Sequence, residues 1–263
     1  TLGSSYSSPV AIGGYTRFNR HDSSAAYFGG EDYRVHKLDF WNGIEAFGWP
    51  QGHSSGAQRV TTPALKDING DGVPEAFSAS GSSSAGFGVR ANDGATGVTL
   101  WNRIFTGGYA ANYVALGQIN ADAAFELVVV TRAGAGTLAT VLDATTGTTE
   151  DSIAMPGSVS YGSAPVLADM NNDGLDEIIV ATEPSLNVVG GSPLANISGF
   201  PADLGDVWIS DSAPVVGDLT SSSPGPEIVL STQVPGSLVG QLHIFGSNGS
   251  YILPRQSMQT GFG

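Results

Sequence analysis

A short acidic pattern recurs four times along the chain at a nearly constant spacing. The copies begin at residues 67, 118, 169 and 218, so successive copies are 51, 51 and 49 residues apart. Each copy ends on a glutamate, and the first reads Asp67-Ile-Asn-Gly-Asp-Gly-Val-Pro-Glu75. A fixed period of this length is typical of chains built from one repeated structural unit. The spacing therefore restricts the chain to a repeat architecture.

Apolar segments flank every acidic pattern. A short apolar run precedes it, as in Ala164-Pro-Val-Leu167, and a β-branched run follows it, as in Ile178-Ile-Val-Ala181. Such runs between turn residues are typical of buried β-strands. The segment Ser8-Pro-Val-Ala-Ile12 fits the same template without an acidic pattern after it. We therefore count five repeats, at approximately residues 8–60, 61–111, 112–162, 163–211 and 212–263.

Each repeat is long enough for a four-stranded unit. The fourth repeat predicts strands at residues 164–168, 178–182, 186–190 and about 195–201. One such sheet cannot bury both faces alone, so neighbouring sheets stack around an axis. The sequence therefore predicts an all-β fold, with residues 1–263 forming a single β-propeller domain of about five four-stranded blades.

The acidic pattern places oxygen-bearing side chains where they can surround a cation. In the two best-preserved copies they occupy positions 1, 3, 5 and 9, and a backbone carbonyl at position 7 completes the set. Calcium takes six to eight oxygen ligands. Asparagine, aspartate and glycine also form turns without metal, but repetition in register favours calcium. The predicted ligands are Asp67, Asn69, Asp71, Val73 and Glu75 in one copy, and Asp169, Asn171, Asp173, Leu175 and Glu177 in the other.

The other two copies keep fewer ligands, so we expect them to bind calcium more weakly. The copy at 118 begins with Gln118 and lacks the glycine that follows the second aspartate elsewhere. The copy at 218 is one residue longer and has hydroxyl side chains at two ligand positions. The weaker predicted ligands are Asn120, Asp122 and Glu126 in the first of these copies, and Asp218, Thr220 and Glu227 in the second.

Composition excludes several functional classes. The net charge of −14, with only two lysines, disfavours nucleic acid and anionic membranes as partners. The chain has no cysteine, and its four histidines show no zinc-binding spacing. No nucleophile-elbow motif and no apolar run long enough to span a bilayer occurs. We therefore expect a chain that is not an enzyme, and no catalytic residue is predicted.

The first repeat is the least regular and the richest in aromatic residues. Departures from a repeat tend to be functional, so a binding surface is expected between Tyr27 and His53. Aromatic faces beside acids and amides suit sugar rings, which favours glycan binding. The alternative is packing between blades, which we favour for Trp101 and Trp208. The aromatic residues weighed here also include Tyr33, Phe40, Trp41, Phe47, Trp49 and Tyr109.

The succession of apolar strand, D-x-N-x-D-G-x-x-E and apolar strand resembles the FG-GAP and VCBS repeats of integrin α-subunits and bacterial surface proteins. The segments Phe47-Gly-Trp-Pro50 and Gly199-Phe-Pro201 resemble the turn that often ends a blade in the bacterial members. The resemblance implies a β-propeller with calcium in the loop between the first two strands of a blade. Because family members commonly have seven blades, an arc of a larger propeller is the alternative to five blades.

The same resemblance implies a secreted or cell-surface protein that serves adhesion or glycan recognition. Its expected partners are proteins or carbohydrates at the cell surface, without membrane insertion, and self-association stays open. A structural subunit of a surface filament or layer is an alternative, suited by abundant glycine and scarce lysine. The propeller part of a polysaccharide lyase is a further alternative. A lyase needs a cationic subsite, which ten basic residues without a visible cluster do not indicate.

Overall fold

The computed structural model describes residues 10–14, 24–53, 59–81, 87–105, 109–133, 136–159, 163–205, 207, 209, 213–221, 223–237, 239–253 and 256–259. Within these ranges the chain forms 22 β-strands, and no residue is helical. Consequently, no helix in the described part of the chain is able to cross a membrane. The strands form five antiparallel sheets, which confirms the all-β prediction.

The strands are assigned to the sheets in chain order. Sheet 1 contains β1 (Ala11–Gly14), β2 (Ser24–Gly29), β3 (Arg34–Asp39) and β4 (Gln51–Gly52). Sheet 2 contains β5 (Arg59–Val60), β6 (Ala64–Lys66), β7 (Glu75–Gly81), β8 (Phe87–Asn92) and β9 (Thr99–Phe105). Sheet 3 contains β10 (Tyr109–Gly117), β11 (Glu126–Ala133), β12 (Gly136–Asp143) and β13 (Thr149–Met155). Sheet 4 contains β14 (Val166–Ala168), β15 (Glu177–Ala181), β16 (Ser185–Gly190), β17 (Ala195–Asn196) and β18 (Ala202–Asp203). Sheet 5 contains β19 (Val215–Gly217), β20 (Glu227–Gln233), β21 (Val239–Phe245) and β22 (Gln256–Gln259).

Within each sheet, spatial order follows chain order. Sheets 1, 3 and 5 are four-stranded, whereas β5 and β6 share the edge of β7, and β17 and β18 share that of β16. The strand predicted at residues 195–201 is therefore two short strands on either side of a turn. Up-and-down order needs only hairpin connections, which explains how repeats of about fifty residues each supply a complete sheet.

Four hydrophobic layers join the sheets in sequence. Alternate side chains of β11 point to opposite neighbours: Leu127 and Val129 pack with the core of sheet 2, whereas Val128 and Val130 pack with Ile178 of sheet 4. Similar layers join sheet 1 to sheet 2 and sheet 4 to sheet 5. A strand buried on both faces needs a continuous apolar run, as the sequence predicted.

The first strands of the sheets lie on a common side of the stack. β1 contacts β6, β6 contacts β10, β10 contacts β14 and β14 contacts β19. Because each acidic loop follows a first strand, the four loops also lie at corresponding places in sheets 2 to 5.

Two glycine turns join sheets at the opposite edge. Gly48 and Gly199 have φ values of +83° and +91°, which L-residues with a side chain rarely adopt. A Cβ atom on Gly48 would overlap the carbonyl of Thr96 in sheet 2, and one on Gly199 would overlap the carbonyl of Asn248 in sheet 5. These are the segments whose sequence resembles a blade-ending turn, and each lies against the last hairpin of the next sheet.

Between sheets 2 and 3, and between sheets 3 and 4, a side chain on the last strand makes the corresponding contact with the next sheet. Trp101 Nε1 of sheet 2 donates to the carbonyl of Ala144 in the last hairpin of sheet 3, at 2.8 Å. Asp151 of sheet 3 accepts the backbone N–H of Leu194 in sheet 4, at 2.7 Å. Trp101 therefore packs between sheets, in agreement with the favoured interpretation, whereas Trp208 lies outside the described residues.

Candidate cation-binding loops and the aromatic hairpin

The four acidic loops connect the first and second strands of sheets 2 to 5. Residues 67–74 join β6 to β7, 118–125 join β10 to β11, 169–176 join β14 to β15, and 218–226 join β19 to β20. In every case the final glutamate is the first residue of the second strand. This is the location that the sequence predicted.

The final glutamate of each loop is buried, with at most 1% of its surface exposed. Its carboxylate accepts the backbone N–H of the loop's second residue and so ties the start of the loop to the second strand. The four pairs are Ile68–Glu75 at 2.8 Å, Ile119–Glu126 at 2.5 Å, Met170–Glu177 at 2.7 Å and Leu219–Glu227 at 2.7 Å. The sequence presented these glutamates only as cation ligands. This hydrogen bond gives them a structural role that needs no ion.

In the first loop, the predicted ligands form a network of turns. Asp67 accepts the backbone N–H groups of Gly70 and Gly72 at 2.8 and 2.9 Å. The Asn69 side chain donates to Glu75 at 2.9 Å. A carboxylate oxygen offers more than one lone pair, so these bonds leave acceptor capacity for a cation.

The third loop repeats this network. Asp169 accepts the N–H groups of Asp173 and Gly174 at 3.1 and 2.9 Å, and Asn171 donates to Glu177 at 2.9 Å. The residues predicted to offer carbonyl oxygens take corresponding places, because Val73 donates its N–H to Asp71 at 2.7 Å and Leu175 donates to Asp173 at 2.8 Å.

A carboxylate from outside the loop joins the first site. One oxygen each of Asp71, Glu75 and Asp93 lie within 4.8 Å of one another. Asp93 belongs to the hairpin between β8 and β9, and the sequence did not indicate it as a ligand. Burial, together with the charges of Asp71, Asp67 and Asp93, raises the pKa of Glu75. A divalent cation here would relieve that repulsion.

The third loop lacks such a partner. A Cβ on Gly190 would lie 2.8 Å from Glu177 Cγ, so a glycine stands beside this glutamate. Among the described residues, no group of three carboxylates within 4.8 Å includes Asp169, Asp173 or Glu177. Burial and the charges of Asp173 and Asp169 still raise the pKa of Glu177. The number of neighbouring carboxylates therefore makes this loop a weaker candidate for cation binding than the first loop, whereas the sequence ranked the two loops equally.

The second loop differs at its first position. Gln118 Nε2 donates to the carbonyl oxygens of Asn120 and Asp122, at 3.0 and 2.8 Å. The Gln118 side chain thus stabilises the loop by donating hydrogen bonds to its carbonyl oxygens. However, one oxygen each of Asp122, Glu126 and Glu150 lie within 4.8 Å of one another. The sequence missed Glu150, which lies on β13.

The fourth loop closes with a hydroxyl group. Thr220 Oγ1 donates to Glu227 Oε1 at 3.2 Å, the place that asparagine takes in the first and third loops. The N–H of Leu219, followed by the donors of Thr220 and Ser223, lowers the pKa of Glu227. Asp218 is exposed at the start of the loop. A glutamate stabilised as an anion by the chain itself has less need of a cation.

Sheet 1 has no buried glutamate at the corresponding place. Ala25 pairs with Asp39 on the neighbouring strand, just as Glu126 pairs with Asp143 in sheet 3. The hairpin that follows is the same turn in both sheets, because Gly43 donates to the Asp39 carbonyl and Gly147 to the Asp143 carbonyl, each at 2.8 Å. Sheet 1 therefore keeps the hairpin and loses the acidic site.

The two sheets differ in what the hairpin exposes. Residues 39–49, here called the aromatic hairpin, place Phe40 and Trp41 where sheet 3 has alanine and threonine. The exposed fractions of Phe40, Trp41, Ile44 and Phe47 are 52%, 68%, 61% and 92%. Four large apolar side chains thus face solvent within eight residues, in the segment where the sequence predicted a binding surface.

The arm of the aromatic hairpin is anchored to the sheet. Glu45 accepts the Lys37 N–H at 3.1 Å, and its other oxygen lies 3.1 Å from His36 Nδ1. The opposite ring nitrogen of His36 lies 3.1 Å from Asp32, and the ring stacks on Phe28 at 5.0 Å between centroids. Hydrogen bonds of Glu45 and His36 therefore hold the hairpin that carries the exposed side chains against sheet 1.

A serine–histidine pair, of which the serine is buried and the histidine half-buried, joins sheets 1 and 2. His53 Nε2 lies 2.8 Å from Ser78 Oγ, while burial and then Arg90 lower the pKa of His53 to about 4. Ser78 is fully buried, and His53 Nδ1 has no hydrogen-bond partner among the described residues. Ser78 is thus not exposed as a nucleophile would be, and among the described residues no acid orients His53 as in a hydrolytic triad.

No protein-family model matches the chain, and no curated protein matches it. The crystal structure of the V. cholerae biofilm matrix protein Bap1 is similar with a TM-score of 0.61 at 19% identity, covering 95% of this chain and 39% of that chain. A quinohemoprotein alcohol dehydrogenase from Comamonas testosteroni is similar with a TM-score of 0.55 at 12% identity, covering 89% of this chain and 52% of that chain. The chain spans about half the length of these proteins or less. Likeness at such identity shows the fold alone.

Proposed function

We propose that the chain forms part or all of an extracellular, calcium-stabilised β-propeller of the FG-GAP type that binds other molecules without catalysing a reaction. Five sheets stacked in chain order, with their first strands side by side, support a five-bladed propeller or an arc of a larger one. The likeness to a biofilm matrix protein over 95% of the chain is consistent with an adhesive role outside the cell.

The aromatic hairpin is the observation that carries the binding function. Large apolar side chains exposed together mark interaction sites, because a folded chain otherwise buries them. Here Phe40 and Trp41 stand where the corresponding turn of sheet 3 has alanine and threonine, and Glu45 ties the hairpin to the neighbouring strand. A rigid aromatic surface loses little conformational entropy when it binds.

A carbohydrate is the ligand class that fits this surface best. A sugar ring presents an apolar C–H face and a hydroxylated edge, and aromatic rings with polar neighbours match both. Asn42 and Glu45 supply amide and carboxylate groups within the same hairpin. The net charge of −14 disfavours polyanionic glycans, so we propose neutral glycans.

Replacing Trp41 or Phe47 with alanine is expected to weaken glycan binding at least tenfold, because each change removes an exposed ring from the aromatic hairpin. A glycan array followed by calorimetric titration of the strongest hit measures the effect. Ile104→Ala is the matched control, since Ile104 is similarly exposed on sheet 2. A chain that binds no glycan on the array, or equal losses in all three variants, would refute carbohydrate binding by this hairpin.

Calcium is expected to raise the melting temperature, and Asp71→Asn with Asp173→Asn is expected to reduce that rise. A ligand in hundredfold excess over its dissociation constant stabilises the native state by about 2.7 kcal/mol. Asparagine keeps the oxygen that accepts the loop N–H, so stability in chelator should change little. Melting curves with calcium and with chelator measure both quantities.

The matched control for this pair is Asp203→Asn, because Asp203 also accepts a backbone N–H in a turn, at 2.7 Å, outside the loops. It should leave the calcium effect unchanged. If the loop variants lose the same stability with and without calcium, those aspartates act through the fold alone.

A further inference from the structure

Glu126 is unlike the other loop glutamates in one respect. It is fully buried and its Oε2 accepts the N–H groups of Ile119 and Asn120, at 2.5 and 3.3 Å. Its Oε1 has no hydrogen-bond partner among the described residues. The same oxygen of Glu75 and of Glu177 accepts an asparagine side chain. Leaving a buried carboxylate oxygen without a partner is costly, so this position calls for a ligand.

The asparagine of this loop is engaged elsewhere. Asn120 Nδ2 donates to Glu150 Oε2 on β13, at 3.1 Å, and so holds that carboxylate beside the loop. One oxygen each of Asp122, Glu126 and Glu150 then lie within 4.8 Å of one another. Three carboxylates this close repel each other unless a cation neutralises them. Burial and the charges of Asp122 and Glu150 raise the pKa of Glu126, and burial and the charges of Asp122 and Asp143 raise that of Glu150.

We propose that Asp122, Glu126 and Glu150 bind one calcium ion, in a site that extends from the second loop to the fourth strand of sheet 3. Glu150 supplies the carboxylate that position 1 lacks, because Gln118 serves there as a donor to the loop's carbonyl oxygens. Asn120 is a positioning residue that orients Glu150. Hard oxygen ligands of this charge suit calcium, and the inference rests on the proposed calcium-binding function.

This ligand set has a structural consequence that the nine-residue pattern lacks. Glu126 begins β11, whereas Glu150 belongs to β13 at the far edge of the same sheet. An ion bound by both residues ties the inner loop to the outermost strand. The second loop, which the sequence ranked among the weaker ones, thereby gains a third carboxylate ligand.

Equilibrium dialysis of the whole chain against calcium, with the bound metal measured by mass spectrometry, tests the proposal. Glu150→Gln is expected to abolish one class of bound calcium or weaken it at least tenfold, and Glu126→Gln is expected to do the same. The double variant Asp71→Asn and Asp173→Asn should retain this class. Glu31→Gln, which removes an equal charge from sheet 1, should bind calcium as the unmodified chain does.

Two outcomes separate the failure of this inference from that of the proposed function. If the unmodified chain binds no calcium, both the proposed calcium-binding function and this site are refuted. If the chain binds calcium but Glu150→Gln binds it with the same number and affinity, only the site in sheet 3 is refuted. Because Glu150 is exposed, the variant should melt like the unmodified chain in chelator. A lower melting temperature there would assign Glu150 to the fold and overturn the proposal.

Discussion

Replacing Gly199 with alanine is expected to destabilise the chain by about 3 kcal/mol. The residue has a φ of +91°, which is unfavourable for any residue with a side chain. In addition, the new Cβ would overlap the backbone carbonyl of Asn248, and a backbone atom cannot move aside as a flexible side chain can. Such overlap costs roughly 1–3 kcal/mol beyond the dihedral strain. Thermal unfolding followed by circular dichroism should show a melting temperature lower by roughly 6–12 °C.

Gly236→Ala separates the two causes. Gly236 also has a positive φ, +70°, but a Cβ there would meet no atom of the described residues within 4 Å. Its replacement should cost only the dihedral strain, about 1 kcal/mol. Equal losses of stability at the two positions would mean that the turn between β17 and β18, which contains Gly199, is not closely packed against sheet 5.

Glu177→Ala is expected to lower stability by about 2–4 kcal/mol, both in calcium and in chelator. The change leaves the buried N–H of Met170 and the Asn171 side chain without their acceptor, and an unsatisfied buried donor costs about 1–3 kcal/mol. Loss of the buried side-chain atoms adds a packing term. Relief of the buried negative charge offsets part of this cost. Urea unfolding with and without calcium measures the loss in each condition.

Glu177→Gln is the matched comparison for this effect. Glutamine keeps one carbonyl oxygen for the N–H of Met170, so most of the stability in chelator should remain. A loss by Glu177→Ala that appears only in calcium would contradict the structural role and leave Glu177 as a cation ligand alone.

The sequence predicted the features that repeat and are local. The period of about fifty residues gave the number of sheets, and the acidic loops lie between first and second strands as expected. The glycines at 48 and 199 were recognised through the blade-ending turn. These features follow from short patterns, because the residues that form each turn are neighbours in the chain.

The missing parts of the candidate sites come from pairing between strands. Asp93 lies beside Glu75, and Glu150 beside Glu126, only because hairpins fold the later strands back onto the loop. A nine-residue pattern cannot contain such partners. The sequence also did not predict that Gln118 acts as a hydrogen-bond donor to the loop. Its amide can accept or donate, and only the folded loop shows that it donates.

The hydrogen bonds between each acidic loop and its buried glutamate bear on the proposed calcium-stabilised role. Because hydrogen bonds within the protein already shape each turn, the proposed cation would bind a loop that is already folded, and its loss would leave the backbone path intact. Changes in the surrounding calcium concentration would then alter the rigidity of the protein gradually, instead of switching it between folded and unfolded states.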